Sequence, residues 1–159
     1  GSLPVSVAVN AAGTRAYVLN QFSATLQAYD ISNPGTAPVA VGAAVATGSQ
    51  PQSVAVNVAG TRAYVINRNS GTLQAYDISN PAAAPVAVGA AVATGAQPRS
   101  IAVNVAGTRA YVVNGTSNTL QAYDISNPGT APVAVGAPVA TGSAPWSVAV
   151  NAAATRAYV

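Results

Sequence analysis

The stretch TLQAYDISNP fills residues 25–34 and returns unchanged at residues 72–81 and 119–128. Each copy begins 47 residues after the one before it. Self-similarity at a fixed period of about 20 to 50 residues is typical of solenoids, propellers and repeat arrays. The repeat, rather than any single motif, therefore decides how this chain folds.

The rest of the sequence follows the same period. Proline recurs at the start of each unit, at Pro4, Pro51, Pro98 and Pro145. The chain of 159 residues is accordingly one repeat domain made of three full units and a partial one, at residues 1–47, 48–94, 95–141 and 142–159.

Each unit reads as four short strands. In the first unit, alternating or β-branched residues predict strands at 6–10, 15–20, 25–31 and 39–47. Gly13 is expected to close the first turn with a positive φ. Pro34 breaks the chain between the third and fourth strands because proline fixes φ and restricts the residue before it.

Four strands in a period of about 40 to 50 residues predict a β-propeller blade. The fold class is all-β, a propeller fragment with about 3.5 blades per chain. A β-solenoid and an open array of hairpins are the alternatives, but a solenoid coil is usually shorter and has fewer tight turns.

The composition excludes several kinds of site. The chain has no His and no Cys, so it can form neither a Ser-His-Asp or Cys-His triad nor an imidazole or thiolate metal site. No cofactor is expected. The net charge of +3 is spread over the repeat rather than concentrated in a stripe, which argues against nucleic-acid binding. The longest apolar run is too short for a spanning helix, so membrane insertion is not expected.

Two stretches resemble known repeats. TLQAYDISNP is similar to the LVIVD-type repeat, and Ala16-Tyr17-Val18-Leu19-Asn20 with its copies is similar to the YVTN-type repeat of surface-layer and cell-surface propellers. The resemblance implies an extracellular or cell-surface propeller without a catalytic motif. The near-identical units also fit a recently amplified or engineered protein, for which no location is implied.

The repeated charges predict structural pairs. With a four-residue loop between the second and third strands, Arg15 faces Asp30, Arg62 faces Asp77 and Arg109 faces Asp124. A cross-strand pair of opposite charge stabilises a sheet by about 0.2–1 kcal/mol. We interpret these pairs as structural rather than catalytic, because a catalytic group has no reason to recur in every blade. Tyr17, Tyr29 and their copies are expected to pack between blades.

Variation between units gathers in two places. One is the residue after the connector proline, and the other is the loop between the second and third strands. Because strands alternate in direction, both places lie on one face of the ring, which we predict to be a ligand or partner face. Its candidate residues are Phe22, Arg68, Asn69, Arg99, Asn118 and Trp146.

The number of blades predicts association. Propellers close with about four to eight blades, and the last strand of a partial blade leaves an unpaired edge. A homo-oligomer is expected, most simply a C2 dimer that completes the ring.

These observations predict a non-enzymatic, self-assembling propeller fragment, natural or engineered. The alternative is a cell-surface module that binds a carbohydrate or protein through the variable face. With only Asp and Tyr available as acid or base, an enzyme is not expected.

Overall fold

The computed structural model describes residues 1–159, and every regular element in it is a β-strand. The first three units form four-stranded blades. Blade 1 contains β1 (Pro4–Val9), β2 (Arg15–Asn20), β3 (Thr25–Asp30) and β4 (Val39–Ala46). Blade 2 contains β5 (Pro51–Val56), β6 (Arg62–Asn67), β7 (Thr72–Asp77) and β8 (Val86–Ala93). Blade 3 contains β9 (Pro98–Val103), β10 (Arg109–Asn114), β11 (Thr119–Asp124) and β12 (Val133–Ala140).

The partial fourth unit forms a short hairpin of β13 (Ala149–Val150) and β14 (Ala157–Tyr158). Each full blade is an antiparallel meander in which neighbours in sequence are neighbours in the sheet. The all-β propeller fragment predicted from the repeat is thereby confirmed. The structure contains no helix of the length and apolarity that a membrane span requires.

The first turn of each blade is built by one asparagine. Asn10 Oδ1 accepts hydrogen bonds from the backbone N–H groups of Thr14 (2.9 Å) and Arg15 (3.0 Å). Gly13 closes this turn at φ 65°, as expected, because glycine has no Cβ to clash in the left-handed region. In the fourth unit Ala154 adopts φ 56° at the same position, which costs an L-residue about 1 kcal/mol.

A bulge bends the outermost strand of each blade. The register between β3 and β4 shifts between Leu26 and Ala28, and Gly42 stands in the bulge at φ 62°. The Gln27 side chain donates to the backbone carbonyls of Val41 (3.3 Å) and Gly42 (3.2 Å), which lie at the bulge. The repeated glutamine thus satisfies the irregular backbone of every outer strand.

The hydrophobic core lies between the blades. One cluster joins the side of blade 1 that carries Tyr17 and Leu19 to the side of blade 2 that carries Val65 and Tyr76. A second cluster joins blade 2 to blade 3 through the equivalent residues. The expected inter-blade packing is confirmed for Tyr17, Tyr64, Tyr76 and Tyr123, whereas Tyr29 lies on a side of blade 1 that no other blade covers. We call the side of a blade that faces the preceding blade its front, and the side that faces the following blade its back.

Two faces of the partial ring follow from this topology. The upper face carries the connectors between blades and the loops after β2, β6 and β10. The lower face carries the turns after β1, β5 and β9 and the loops after β3, β7 and β11.

Candidate functional site

The upper face is held in place by backbone hydrogen bonds within each blade. In blade 2, the N–H of Arg68 donates to the carbonyl of Gln50 (2.8 Å), and the N–H of Ser49 donates to Ser70 Oγ (2.7 Å). Blade 1 repeats both bonds at the equivalent residues. These bonds fix the position of each variable loop beside the connector of its own blade.

The residues that vary between units bridge adjacent blades on this face. Gln21 Nε2 of blade 1 donates to Gln52 Oε1 of blade 2 over 3.0 Å. Arg68 Nη2 of blade 2 donates over 3.1 Å to Oε1 of Gln97, which lies in the connector that leads into blade 3. At the next junction the Arg99 guanidinium lies over the Trp146 ring, 4.4 Å from the ring centroid. Three different polar or aromatic pairs therefore stand at three successive blade junctions.

The six predicted face residues lie on the upper face but are only partly in contact. Arg99 and Trp146 form the cation–π pair, and Trp146 remains largely exposed. Asn118 Oδ1 accepts from the N–H of Ala144 (2.7 Å), which fixes the connector to the last hairpin. Phe22 and Asn69 are exposed, and no side-chain hydrogen bond joins either of them to the others.

Gln21 and Gln52 lie in the two variable places but were not among the six candidate residues, and Gln97 lies outside both places. The signal that could have found Gln97 is the residue before the connector proline, which also varies: Leu3, Gln50, Gln97 and Ala144. These four residues all have positive φ, from 50° to 54°. Their side chains therefore leave the backbone in a different direction from side chains of an extended strand. Their contacts cross between blades and could not be read from the period alone.

The predicted charge pairs lie on the opposite, lower face. Arg15 Nη1 is 2.9 Å from Asp30 Oδ1, Arg62 Nη1 is 2.9 Å from Asp77 Oδ1, and Arg109 Nη1 is 2.8 Å from Asp124 Oδ2. The three pairs occupy the facing strand positions expected from the loop length.

The pKa of each aspartate lies below its usual value, but the arginine is not the main cause. The hydroxyl of Ser79 donates to Asp77 Oδ1 over 2.6 Å, and the backbone N–H of Ser79 donates to the same oxygen over 2.8 Å. These two bonds lower the pKa of Asp77 more than the nearby Arg62 charge does. The equivalent serine does the same for the pKa of Asp30 and of Asp124. A carboxylate stabilised in this way is a poor general base.

The two faces therefore differ in chemistry. The upper face offers guanidinium and amide donors beside an exposed indole, which suits an anion, a carbonyl oxygen or the apolar face of a sugar ring. All three carboxylates of the chain lie on the lower face. No group of three or more acidic, His or Cys side chains is placed to hold a metal ion.

The geometry defines part of a β-propeller whose upper face carries the residues that vary between units. The chain matches the family model described as "Lactonase, 7-bladed beta-propeller" over residues 5–149. It belongs to this family of seven-bladed propeller lactonases.

Solved structures share the fold at low sequence identity. A Bacteroides fragilis protein assigned as a 6-phosphogluconolactonase superposes with a TM-score of 0.83 at 17% identity, covering 92% of this chain and 41% of the other. The periplasmic gluconolactonase PpgL of Pseudomonas aeruginosa superposes with a TM-score of 0.76 at 18% identity, covering 90% of this chain and 41% of the other. Hydrazine synthase of Kuenenia stuttgartiensis superposes with a TM-score of 0.77 at 19% identity, covering 96% of this chain and 40% of the other. The chain thus spans about two fifths of the length of these structures, and no curated protein matches it.

The family corrects the functional prediction from sequence. The prediction of a non-enzymatic scaffold, with a cell-surface binding module as its alternative, is wrong, because the chain belongs to a family of lactonases. The absence of His and Cys excludes certain triads and metal sites, but it does not exclude an enzyme whose site draws on several blades. The resemblance to LVIVD-type and YVTN-type repeats is confirmed only at the level of the propeller.

Proposed function

We propose that this chain forms part of a seven-bladed lactonase and that its upper face binds a sugar lactone. The observation that carries the proposal is the family match, which extends over residues 5–149 and so covers nearly all of the three full blades. The fold neighbours named as gluconolactonase and 6-phosphogluconolactonase supply the substrate class, an aldonolactone with or without a phosphate.

The upper face has the donors that such a substrate requires. Attack of water on a lactone carbonyl places negative charge on the carbonyl oxygen, and preorganised N–H donors stabilise that charge. The Arg68 and Arg99 guanidinium groups and the Gln52 amide stand at neighbouring blade junctions of this face. The exposed Trp146 ring offers an apolar surface for the C–H face of the sugar.

The roles of the two faces follow from the positions of the aspartates. Arg68 and Arg99 orient the substrate and hold its carbonyl or phosphate oxygens. Because every carboxylate of this chain is on the lower face, the proposal assigns the activation of water to groups that the other blades of the ring contribute. The chain therefore supplies substrate binding and charge stabilisation in this proposal.

Product binding tests this assignment. Gluconate and 6-phosphogluconate are titrated into the ¹⁵N-labelled chain, and the indole and guanidinium N–H signals are followed. Perturbation of the Trp146 and Arg99 side-chain signals is expected, and Arg68→Ala and Arg99→Ala should each weaken binding by about tenfold, since a charge-assisted hydrogen bond is lost.

Arg156→Ala is the matched control, because it removes the same charge from the lower face, where Arg156 is exposed. Perturbation confined to lower-face signals, or an equal effect of all three arginine variants, would contradict the proposal. Tighter binding of 6-phosphogluconate than of gluconate would assign the arginines to the phosphate.

We also propose that the protein works outside the cytoplasm. The resemblance to cell-surface propeller repeats and the fold shared with a periplasmic gluconolactonase support this location. Fractionation of cells that express the natural gene should place the protein in the periplasmic or surface fraction, and a cytoplasmic location would overturn this part.

A further inference from the structure

The side chain that bridges two blades on the upper face comes from a different position of the repeat at the third junction. At the first two junctions it belongs to the first residue of the variable loop, which is Gln21 in blade 1 and Arg68 in blade 2. In blade 3 this residue is Gly115, which has no side chain to contribute. Arg99, the residue after the connector proline, makes the bridge instead and places its guanidinium 4.4 Å from the centroid of the Trp146 ring.

The backbone does not require a glycine at this position. The N–H of Gly115 donates to the carbonyl of Gln97 over 2.9 Å, and the N–H of Arg68 makes the equivalent bond to Gln50 over 2.8 Å. Gly115 is not among the residues with a positive φ, the region in which glycine is favoured. Because the same backbone carries Arg68 in blade 2, the reason for the glycine lies in the space beside it.

The Arg99 side chain occupies that space. A Cβ on Gly115 would overlap Arg99 Nε and would lie 2.7 Å from its Cδ and 2.8 Å from its Cζ. Gly115 is buried, although it begins a loop of the upper face. A side chain at position 115 and the course that Arg99 follows to Trp146 therefore exclude each other.

The Arg99 guanidinium is held in place without using its hydrogen-bond donors. Its contact is with the Trp146 ring, and no side-chain hydrogen bond or ion pair joins it to another residue of the chain. A guanidinium carries five N–H donors in one plane, and stacking on an aromatic ring fixes the cation without engaging them. Arg68, by contrast, donates one of its N–H groups to Gln97. Arg99 therefore presents all of its donors to a ligand.

The charge of Arg99 has no carboxylate partner on its own face. The three aspartates of the chain are paired with Arg15, Arg62 and Arg109 on the lower face. Arg68 also lies on the upper face, where its partner Gln97 is neutral. A charge-assisted hydrogen bond to an anionic oxygen is roughly twice as strong as a neutral one. The chemistry that fits this junction is a carboxylate or phosphate oxygen.

We propose that Gly115 is a positioning residue, which leaves the space that Arg99 needs to stack on Trp146 and so places a guanidinium with free donors at the junction of blade 3 and the fourth unit. This inference rests on the lactone proposal and specifies where the upper face meets an anionic oxygen of its ligand. Blades 1 and 2 cannot present the residue after their connector proline in this way, because Gln21 and Arg68 carry side chains at the equivalent position.

Tryptophan fluorescence tests the position of Arg99 without any ligand. Trp146 is the single tryptophan of the chain, so its emission reports on this junction alone. Gly115→Gln introduces the residue that blade 1 carries at this position, on a backbone with the same hydrogen bond. Arg99→Ala should change the emission of the parent chain, because it removes the stacked cation. In the Gly115→Gln chain the same substitution should leave the emission unchanged, because Arg99 no longer reaches the ring.

Ligand binding tests the consequence. With 6-phosphogluconate as the probe, Gly115→Gln should weaken binding by about tenfold, as Arg99→Ala does, because both remove the same charge-assisted hydrogen bond. Combining the two substitutions should weaken binding no further. Circular dichroism of all variants should match that of the parent, so that the loss is assigned to the site and not to the fold.

Gly129→Ala is the matched control, because it enlarges another glycine of the same unit on the lower face. Its counterpart in the second unit is already alanine, Ala82, and a Cβ at Gly129 would meet Asn127 Oδ1 at an ordinary 3.4 Å. This variant should bind 6-phosphogluconate like the parent and should keep the effect of Arg99→Ala on the emission of Trp146.

Two results would overturn the role of Gly115. One is an effect of Arg99→Ala on the emission that is equally large in the parent and in Gly115→Gln. The other is a Gly115→Gln chain that binds 6-phosphogluconate like the parent while Arg99→Ala weakens binding. A parent chain that does not bind 6-phosphogluconate would overturn the lactone proposal instead, and the fluorescence comparison would still decide whether Gly115 positions Arg99.

A smaller substitution keeps the test available if Gly115→Gln fails to fold. Gly115→Ala adds the single Cβ that already overlaps Arg99 Nε. The emission of Trp146 should then respond less to Arg99→Ala than it does in the parent. An undiminished response would show that Arg99 reaches the ring by another course, which would equally overturn the proposal.

Discussion

The lower and upper faces of this propeller fragment are built from the same repeat but use it differently. On the lower face most residues are the same in the three full units, and the repeated polar residues are engaged in a turn or a charge pair, as Asn10, Arg15 and Asp30 are. On the upper face the variable residues make a different contact at each blade junction, as Arg68 and Arg99 do. The repeated polar positions of the lower face therefore serve the fold, and the variable positions of the upper face are the ones that we propose for recognition.

The largest expected effect concerns the asparagine of a lower turn. Asn57→Ala removes the acceptor for the N–H groups of Thr61 and Arg62, both at 2.9 Å, and leaves them without partners. Chemical denaturation should show a loss of about 2 kcal/mol in the free energy of unfolding. Asn69→Ala, in an exposed upper loop of the same blade, is the control and should stay within about 0.5 kcal/mol of the parent. Equal losses would remove the distinction between the faces.

The next effect concerns the conformation of the same turn. Gly60→Ala places a Cβ at φ 66°, where the nearest atom is 3.8 Å away, so the cost is conformational rather than a clash. Chemical denaturation of the variant should show a loss of about 1 kcal/mol in the free energy of unfolding. Gly35→Ala is the control, because the equivalent residue of blade 2 is already alanine, Ala82. Unchanged stability for Gly60→Ala would show that the turn relaxes.

A smaller effect is expected for the upper face. A double-mutant cycle of Arg99→Ala and Trp146→Ala should give a coupling energy of about 0.5–1 kcal/mol, as for an exposed cation–π pair. Replacing Trp146 by Ala in a chain that also carries Arg156→Ala should give no coupling. A coupling energy near zero for the first pair would mean that the upper contact contributes nothing to stability and leaves Arg99 free for ligand.

The smallest effect is a change in pH dependence. The pKa of Asp77 is lower in the folded chain than in the unfolded chain, so its contribution to stability is present above about pH 4 and is lost as the pH falls through the folded pKa. Ser79→Ala removes the main cause and should raise the pKa of Asp77 towards its ordinary value, which carbon-detected NMR titration of the carboxyl measures. Ser32→Ala should raise the pKa of Asp30 in the same way. A larger rise in Asp77 after Arg62→Ala than after Ser79→Ala would contradict this assignment.

Much of the fold could be predicted because its determinants are local. The facing positions of Arg15 and Asp30 follow from one loop length, and the bounds of β2 agree with the prediction at both ends. The candidate face was less predictable: Arg68 and Trp146 were singled out as variable, but Gln97 was not, since its contact with Arg68 spans 29 residues and two blades. The lactonase family was missed because no short catalytic motif in these residues carries it.

The sequence by itself determined the blade: its four strands, its register and the turn at Gly13, all of which depend on residues within one unit. The tertiary structure decided which residues of each blade are buried. Val7 and Val54 occupy the same position of the same repeat, yet one is exposed and the other buried. The physical reason is that burial depends on contacts with the neighbouring blade, which lie outside the unit that carries the valine.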